Sequence, residues 1–281
     1  MHDPDAHRTA SLDQWERSAA GWAARRDTVQ RAGAGISARM IEAIDPQPGQ
    51  TVLELAGGTG ETGFMAAELL QPGGTLISSD FAEPMLEAAR ARASELGLEA
   101  VEFRALNAES LDLAAASADA ILCRWGYMLM TDPGAALGES RRVLRPGGRL
   151  ALAAWDAPER NPWAALVGAA VRRAYGAPDP DPAAPGMFAF ARPGVIEDLL
   201  AQAGFLDVAV EAVSLEQSYD SFEDWWEVTL DLAVPLADLV AGLDDAGREQ
   251  VRAELRAAAA PHEREGRLVF PGSCLVGSAT A

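Results

Sequence analysis

Lysine is missing from this sequence, and all 23 basic residues are arginine. They are outnumbered by 42 acidic residues, so the formal net charge of the chain is −19 at pH 7. A surface of this sign repels phosphate backbones and anionic headgroups. We therefore expect neither nucleic acid nor membrane as a partner.

Cysteine and histidine are scarce, which narrows the possible chemistry. Cys123 and Cys274 are too few for a disulfide framework or a cysteine-based zinc site. The three histidines, His2, His7 and His262, lie near a terminus or at a predicted helix end, so a buried histidine base is not expected. Because no cluster of metal ligands is visible in the sequence, we expect no metal centre.

Long apolar runs are also lacking. No window approaches the uninterrupted apolar length that spans a bilayer. The first ten residues carry acids and no apolar core, which is unlike a signal or transit peptide. The expected location is the cytoplasm, and 281 residues are enough for one large core or for one core with a small lid domain.

The most informative stretch runs over residues 51–63 and reads TVLELAGGTGETG. Its apolar start is typical of a buried strand, and the segment FMAAELL that follows it suits a helix packed on a sheet. Four glycines lie between strand and helix, at Gly57, Gly58, Gly60 and Gly63. Such a turn lets a ligand approach bare backbone, and the amides at the helix start can face a negative group.

Two cofactors fit this stretch. Gly58, Gly60 and Gly63 satisfy the dinucleotide pattern G-x-G-x-x-G, and Asp80 lies at about the distance expected of an acid that binds a ribose. The same letters, with Glu54 before the turn, also resemble the first two motifs of the class I S-adenosylmethionine-dependent methyltransferases. Features elsewhere in the sequence must therefore distinguish a nicotinamide cofactor from an adenosyl sulfonium cofactor.

Three further features favour the methyltransferases. Nearly fifty residues with helical patterns precede the first strand, and they include Ser11 and Gln14 at capping-box spacing. Asn107 follows the third predicted strand, where the family carries an acid or amide. The turn Arg145-Pro146-Gly147-Gly148 before an apolar strand is the string most typical of small-molecule methyltransferases of the quinone and natural-product type. Family members often have glycine where Ala56 stands, and alanine is small enough to allow close approach of the cofactor.

The resemblance implies a cofactor site. Asp80 would accept the ribose hydroxyls, Asn107 the adenine amino group, and Arg124 would pair with the methionine carboxylate. For Trp22, which with Trp15 lies on one helical face, core packing is the first interpretation and ligand contact the second. The full set of predicted cofactor-binding residues is Trp22, Glu54, Ala56, Gly57, Gly58, Gly60, Asp80, Phe81, Met85, Asn107, Ala108, Glu109 and Arg124.

The acceptor side is less visible in the sequence. A base is needed only if the nucleophile must lose a proton, and Tyr127 and Asp156, each at the mouth of a strand, are the candidates. Aromatic residues are concentrated in the second half of the chain, where ordinary packing explains part of them. Those predicted to line the acceptor pocket are Trp125, Trp163, Phe188, Trp225 and Trp226.

These patterns predict an α/β fold, a Rossmann-like seven-stranded mixed sheet with helices on both faces. Residues 1–48 form an N-terminal helical segment over the cofactor, 49–215 and 265–281 the core with an insert at 157–191, and 216–264 a helical lid before the last strand. A monomer or homodimer is expected.

The predicted function is transfer of a methyl group from S-adenosylmethionine to a small apolar or aromatic acceptor, at oxygen or carbon. An NAD(P)-dependent oxidoreductase and a non-catalytic protein that binds S-adenosylmethionine are the alternatives.

Overall fold

The computed structural model describes residues 4–182 and 184–281, and in them eight strands form a single mixed sheet. The strands are β1 Thr51–Glu54, β2 Thr75–Asp80, β3 Val101–Ala105, β4 Ala118–Arg124, β5 Leu144–Trp155, β6 Leu206–Tyr219, β7 Glu263–Arg264 and β8 Arg267–Thr280. Their order is β3-β2-β1-β4-β5-β8-β6, and the two-residue β7 pairs with β8. The predicted seven-stranded sheet is confirmed, with β7 as a short addition.

Ten α-helices belong to the described residues. They are α1 Pro4–Ala24, α2 Arg26–Ile44, α3 Glu61–Leu69, α4 Glu83–Leu96, α5 Pro133–Val143, α6 Pro162–Tyr175, α7 Val195–Gln202, α8 Phe222–Leu232, α9 Val234–Gly242 and α10 Asp245–Ala259. On the sheet, α2 packs beside α3, and α5 packs beside α7, so helices cover both faces as predicted. Ser11 lies inside α1, and its capping-box spacing with Gln14 therefore does not mark a helix start.

The first five strands run parallel, whereas β8 is antiparallel to both β5 and β6. In the centre Leu53 pairs with Ile77 on one side and Ile121 on the other, and Val52 and Leu53 are fully buried. A strand covered on both faces explains the continuous apolar run in the sequence. The chain order reverses between β1 and β4, and in open α/β sheets ligands bind at the carboxyl ends beside such a point.

A second, smaller core lies under the helices between β6 and β8. It joins side chains of α6, α8, α9 and α10 to the amino-terminal half of β8, with Trp225 and Phe270 fully buried at its centre. Strand β6 continues to Tyr219, beyond the residue 215 at which the sequence placed the end of the core. This long strand thus carries residues of the sheet and of the second core alike.

No helix in 4–182 and 184–281 has the length and apolar character needed to cross a membrane. Within the same ranges, histidine, cysteine, aspartate and glutamate side chains nowhere form a group of three or more suited to a metal ion.

Candidate active site

A cavity of about 550 Å³ lies over the carboxyl ends of the central strands. Its wall combines the turns after β1 and β2, the loops after β3 and β4, and faces of α1, α2, α6, α8 and α9. Pockets for small ligands usually measure about 300–1,000 Å³. The lining brings together residues that are distant in the sequence, including twelve of the thirteen predicted for the cofactor: Trp22, Glu54, Ala56, Gly57, Gly58, Asp80, Phe81, Met85, Asn107, Ala108, Glu109 and Arg124.

Glu54 supports the glycine turn from beneath. Its Oε1 accepts a hydrogen bond of 2.6 Å from the Gly63 amide, and its Oε2 accepts one of 3.0 Å from the Ser78 hydroxyl. A Cβ at Gly57 or Gly63 would lie 2.7 or 2.3 Å from Oε2, so both positions require glycine. Burial raises the pKa of Glu54 to about 7 in spite of these hydrogen bonds.

The turn itself has left-handed backbone at Ala56 (φ 50°), Gly58 (φ 55°) and Gly60 (φ 95°). A Cβ at Gly60 would meet the Phe64 ring at 2.3 Å, and this glycine does not line the cavity. Its prediction as a ligand contact is corrected, because it is needed to pack Phe64. A Cβ at Gly58 would have open space around it, so the cavity reaches the backbone here.

Asp80, at the end of β2, lies between the turn and the following helix. Its Oδ2 accepts a hydrogen bond from the Gly58 amide and its Oδ1 one from the Ala82 amide, both of 3.0 Å. Only 6% of the residue is exposed, and burial raises its pKa. Asp80 lines the cavity, a carboxylate oxygen can accept more than one hydrogen bond, and Phe81 and Met85 add apolar surface beside it.

The segment after β3 presents an amide and a carboxylate. The Asn107 Oδ1 accepts a hydrogen bond of 2.9 Å from the Glu109 amide, while its side-chain NH₂ makes no hydrogen bond within the described residues. Glu109 is engaged on both oxygens, with Arg8 of α1 at 2.7 Å and with the Thr131 amide at 2.8 Å. Glu109 therefore ties α1 to the loop after β4, while Asn107 retains free donors.

Arg124, at the end of β4, is held under α2. Its Nη1 donates to the Ser37 hydroxyl at 3.3 Å, and its Nη2 lies 3.4 Å from a Glu61 carboxylate oxygen. The guanidinium carbon lies 4.4 Å from the centre of the Trp125 ring. Burial lowers the pKa of Arg124, and Glu61 opposes this shift.

Aromatic rings form the opposite wall of the cavity. Trp125 stacks on Trp155 with ring centres 4.5 Å apart, and Trp155 meets Trp163 edge to face at 5.0 Å. Phe188 also lines the cavity, so three of the five predicted acceptor-pocket residues are present there. Trp22 both lines the cavity and donates from Nε1 to the Leu232 carbonyl at 3.1 Å, which joins α1 to α8.

Two predicted catalytic residues do not reach the cavity. Tyr127 points into the main core, where only 1% of it is exposed and its hydroxyl lies 2.6 Å from the Ser140 hydroxyl. Asp156 accepts hydrogen bonds from the Ala157 amide at 2.7 Å and the Ser273 hydroxyl at 2.8 Å. Both assignments are corrected, because these groups serve the packing of α5 and β8.

Trp225 and Trp226 also lie outside the cavity. Trp225 is fully buried in the second core, and its Nε1 donates to the Trp163 carbonyl at 3.0 Å. Trp226 is buried in the same core beside Arg252, whose guanidinium carbon lies 5.6 Å from the ring centre. These residues position the helices that line the cavity, and their assignment to the acceptor pocket is corrected.

Several lining residues were missed by sequence reasoning. The sequence prediction placed Gln217 and Tyr219 of β6 in a lid that begins at residue 216. It did not include Trp155 among the aromatic residues of the acceptor pocket, although Trp155 lines the cavity. Arg172, nine residues after Trp163 on α6, lines the cavity as well. The only available signal was the strand-like alternation before Gln217, which continues as far as Tyr219.

Known proteins resemble this chain in part of its sequence and in its fold. Residues 46–173 match the model of the family described as "Methyltransferase domain". The crystal structure of the YcgJ protein from Bacillus subtilis has the same fold, with a TM-score of 0.58 and 20% sequence identity over 88% of this chain and 98% of that one. Residues 46–173 thus match a methyltransferase domain, which confirms over this part of the chain the resemblance drawn from the sequence.

Two relatives extend the comparison. The chain is 35% identical to nocamycin O-methyltransferase from Saccharothrix syringae over 182 residues. This aligned region covers 62% of this chain and 65% of that protein. It is 38% identical to the ubiquinone/menaquinone biosynthesis C-methyltransferase UbiE from Acidiphilium cryptum over 110 residues. This aligned region covers 39% of this chain and 43% of that protein. The match thus spans less than two thirds of the length of either relative.

Proposed function

We propose that this protein transfers a methyl group from S-adenosylmethionine to a small apolar or aromatic acceptor, at an oxygen or carbon atom. The observation that carries the proposal is that one cavity joins the glycine turn and Asp80 to the wall of Trp125, Trp155 and Trp163. The relatives support it, since their names describe O-methylation of nocamycin and C-methylation in quinone biosynthesis.

The residues at the carboxyl ends of β1 to β4 fit the cofactor. Asp80 has lone pairs for two ribose hydroxyls, and Asn107 has polar groups for the adenine edge. Phe81, Met85 and the Ala108 backbone complete the nucleoside side. Arg124 is the cation for the methionine carboxylate, which would compete with Glu61 for Nη2.

The bound cofactor supplies an electrophilic methyl group on a positively charged sulfur. Because that charge disperses as the methyl group is transferred, an apolar wall of tryptophans does not oppose the reaction. The chain's own contribution is the positioning of the two reactants, an effect that can supply on the order of 7 kcal/mol or more. Among the described residues that line the cavity there is no histidine, so positioning is the contribution we assign.

The helices of residues 216–264, with α1 and α6, cover the acceptor end in this proposal. Trp22 and Trp225 support it, because their indole nitrogens join α8 to α1 and to α6. A small-molecule acceptor, a cytoplasmic location and a monomeric or dimeric protein complete the proposal.

Two measurements test it. Isothermal titration calorimetry should show micromolar or tighter binding of S-adenosylhomocysteine and none of NADH, whereas tight NADH binding alone would support an oxidoreductase. An acceptor screen that detects release of S-adenosylhomocysteine should then find turnover with aromatic or quinone-like compounds. Cofactor binding without turnover of any acceptor would instead indicate a non-catalytic protein that binds S-adenosylmethionine.

A further inference from the structure

Gln217 and Tyr219 place two polar side chains in the apolar part of the cavity. They stand two residues apart on β6, so their side chains share one face of the strand. Only 6% of Gln217 and 3% of Tyr219 are exposed, and both line the cavity. Their neighbours Glu216 and Ser218 point to the other face and are exposed.

Neither polar side-chain group has a hydrogen-bond partner within the described part of the protein. The side-chain amide of Gln217 and the hydroxyl of Tyr219 make no hydrogen bond to any described residue, in contrast to Tyr127, whose hydroxyl lies within hydrogen-bond distance of the Ser140 hydroxyl. Yet in these residues every fully enclosed side-chain nitrogen or oxygen has a hydrogen-bond partner. The two polar groups therefore reach the open space of the cavity.

The position of the pair separates it from the cofactor residues. In the sheet order β1-β4-β5-β8-β6, four strand spacings lie between β1 and β6, roughly 19 Å at about 4.8 Å each. Tyr219 belongs to the second core, where its ring meets Phe270 edge to face at 6.2 Å. The pair thus lies on the acceptor side of the cavity.

Resting on the proposed function, we propose that Gln217 and Tyr219 bind an oxygen atom of the methyl acceptor. The acceptor class is then a ring compound with an apolar body and a carbonyl or hydroxyl group. A polar group that is enclosed without a hydrogen-bond partner destabilises the complex, so an acceptor lacking that oxygen is disfavoured.

The chemistry of the pair suits a neutral oxygen. Burial raises the pKa of the Tyr219 hydroxyl, which therefore keeps its proton and donates a hydrogen bond. Gln217 both donates and accepts, so the pair binds a carbonyl through two donors or a hydroxyl through a donor and an acceptor. Strand pairing of Gln217 with Phe270 and of Tyr219 with Leu268 holds both in place.

The test compares matched ring compounds that differ in one oxygen. Equilibrium dialysis against protein saturated with S-adenosylhomocysteine measures the affinity for 2-naphthol against naphthalene, and for 2-tetralone against tetralin. In the wild-type protein we expect at least one oxygen-bearing compound to bind about tenfold more tightly, equivalent to about 1.4 kcal/mol. Tyr219→Phe and Gln217→Leu should each reduce that preference to about threefold or less.

Ser218→Ala, on the opposite face of the same strand, is the control and should keep the full preference. Affinity for S-adenosylhomocysteine is measured in every variant and should not change, so a failure of cofactor binding, which concerns the proposed function, is seen separately. If the wild-type protein shows no preference in either pair, or both variants retain it, the inference is overturned.

Discussion

Asp80 and Gly58 are joined by a hydrogen bond of 3.0 Å, from the glycine amide to the aspartate Oδ2. This bond connects the end of β2 to the turn after β1. The other oxygen of Asp80 accepts from the Ala82 amide at the start of α4. A carboxylate that faces the cavity thus also determines the shape of the backbone beside it.

Replacing this carboxylate should weaken cofactor binding. In Asp80→Asn, one oxygen becomes an NH₂ group that must face either the Gly58 or the Ala82 amide, and the charged acceptor for the ribose is lost. Hydrogen bonds to charged groups contribute about 1.5–3 kcal/mol, so we expect affinity for S-adenosylhomocysteine to fall roughly ten- to a hundredfold. Calorimetry measures this directly.

Asp119→Asn is the matched control for that experiment. Asp119 also accepts a backbone hydrogen bond, of 2.8 Å from the Thr51 amide, but at the amino end of β1 and outside the cavity. Its variant should lose stability without losing cofactor affinity. Equal affinity losses in the two variants would show that Asp80 acts only on the fold.

Removing the methyl group of Ala56 and adding one at Gly60 should have different effects on the stability of the protein. Ala56 has a left-handed φ of 50°, which costs an L-residue roughly 1–2 kcal/mol, so Ala56→Gly should leave the melting temperature unchanged or raise it. Gly60→Ala should lower stability by about 2 kcal/mol or more, because its Cβ would lie 2.3 Å from the Phe64 ring.

Urea denaturation of the two variants beside the wild-type protein provides the measurement. Ala66→Gly, within α3 and fully buried, controls for the general effect of an added glycine and should destabilise. A clear loss of stability in Ala56→Gly would contradict the strain assigned to residue 56.

Glu54 should make stability fall as the pH rises. Its pKa of about 7 in the folded protein lies above the ordinary value of 4.5, so between these two pH values Glu54 has lost its proton in the unfolded chain but retains it in the folded protein. The free energy of unfolding therefore decreases from pH 4.5 to 7, by roughly 3 kcal/mol, and is unaffected by this group above pH 7.

Glu54→Gln removes the titration while an oxygen remains for the Gly63 amide. Urea denaturation at half-unit steps from pH 5 to 8 should show the decline in the wild-type protein and a flatter profile in the variant. Parallel profiles in the two proteins would mean that Glu54 is ionised throughout the range.

The central strands and the nucleoside side of the cavity were predictable from the sequence. Their signals are local: an apolar run, a glycine turn, and a polar residue where a parallel strand ends. The acceptor side was less predictable because it depends on contacts between distant segments. Trp125 lines the cavity and Tyr127 enters the core because the chain turns at Trp125, whose φ is 63°.

The end of β6 shows the same limit. Its residues alternate between buried and exposed as far as Tyr219, but three of the four helices that share the second core with Tyr219, α8, α9 and α10, come later in the chain. A sequence pattern does not state which distant helix will cover a strand, so the boundary at residue 215 fell before the two residues that line the cavity. Tertiary packing, and not local propensity, decides such positions.

Two glycines of α2 offer a direct test of Arg124. A Cβ at Gly33 would lie 1.9 Å from the Arg124 Nη1, whereas a Cβ at Gly35 would have no neighbour within 4 Å. Gly33→Ala should therefore displace the guanidinium of Arg124, a buried side chain of which only 7% is exposed. We expect a loss of about 1–3 kcal/mol in stability and a weaker affinity for S-adenosylhomocysteine, whose carboxylate we assign to Arg124.

Gly35→Ala adds the same methyl group to the same helix without touching Arg124. Since alanine favours a helix interior over glycine by up to about 1 kcal/mol, this variant should be as stable as the wild-type protein or more so, with unchanged affinity. Thermal denaturation and calorimetry on both variants separate the two effects. If Gly33→Ala loses stability but binds S-adenosylhomocysteine as the wild-type protein does, Arg124 supports α2 and does not hold the cofactor.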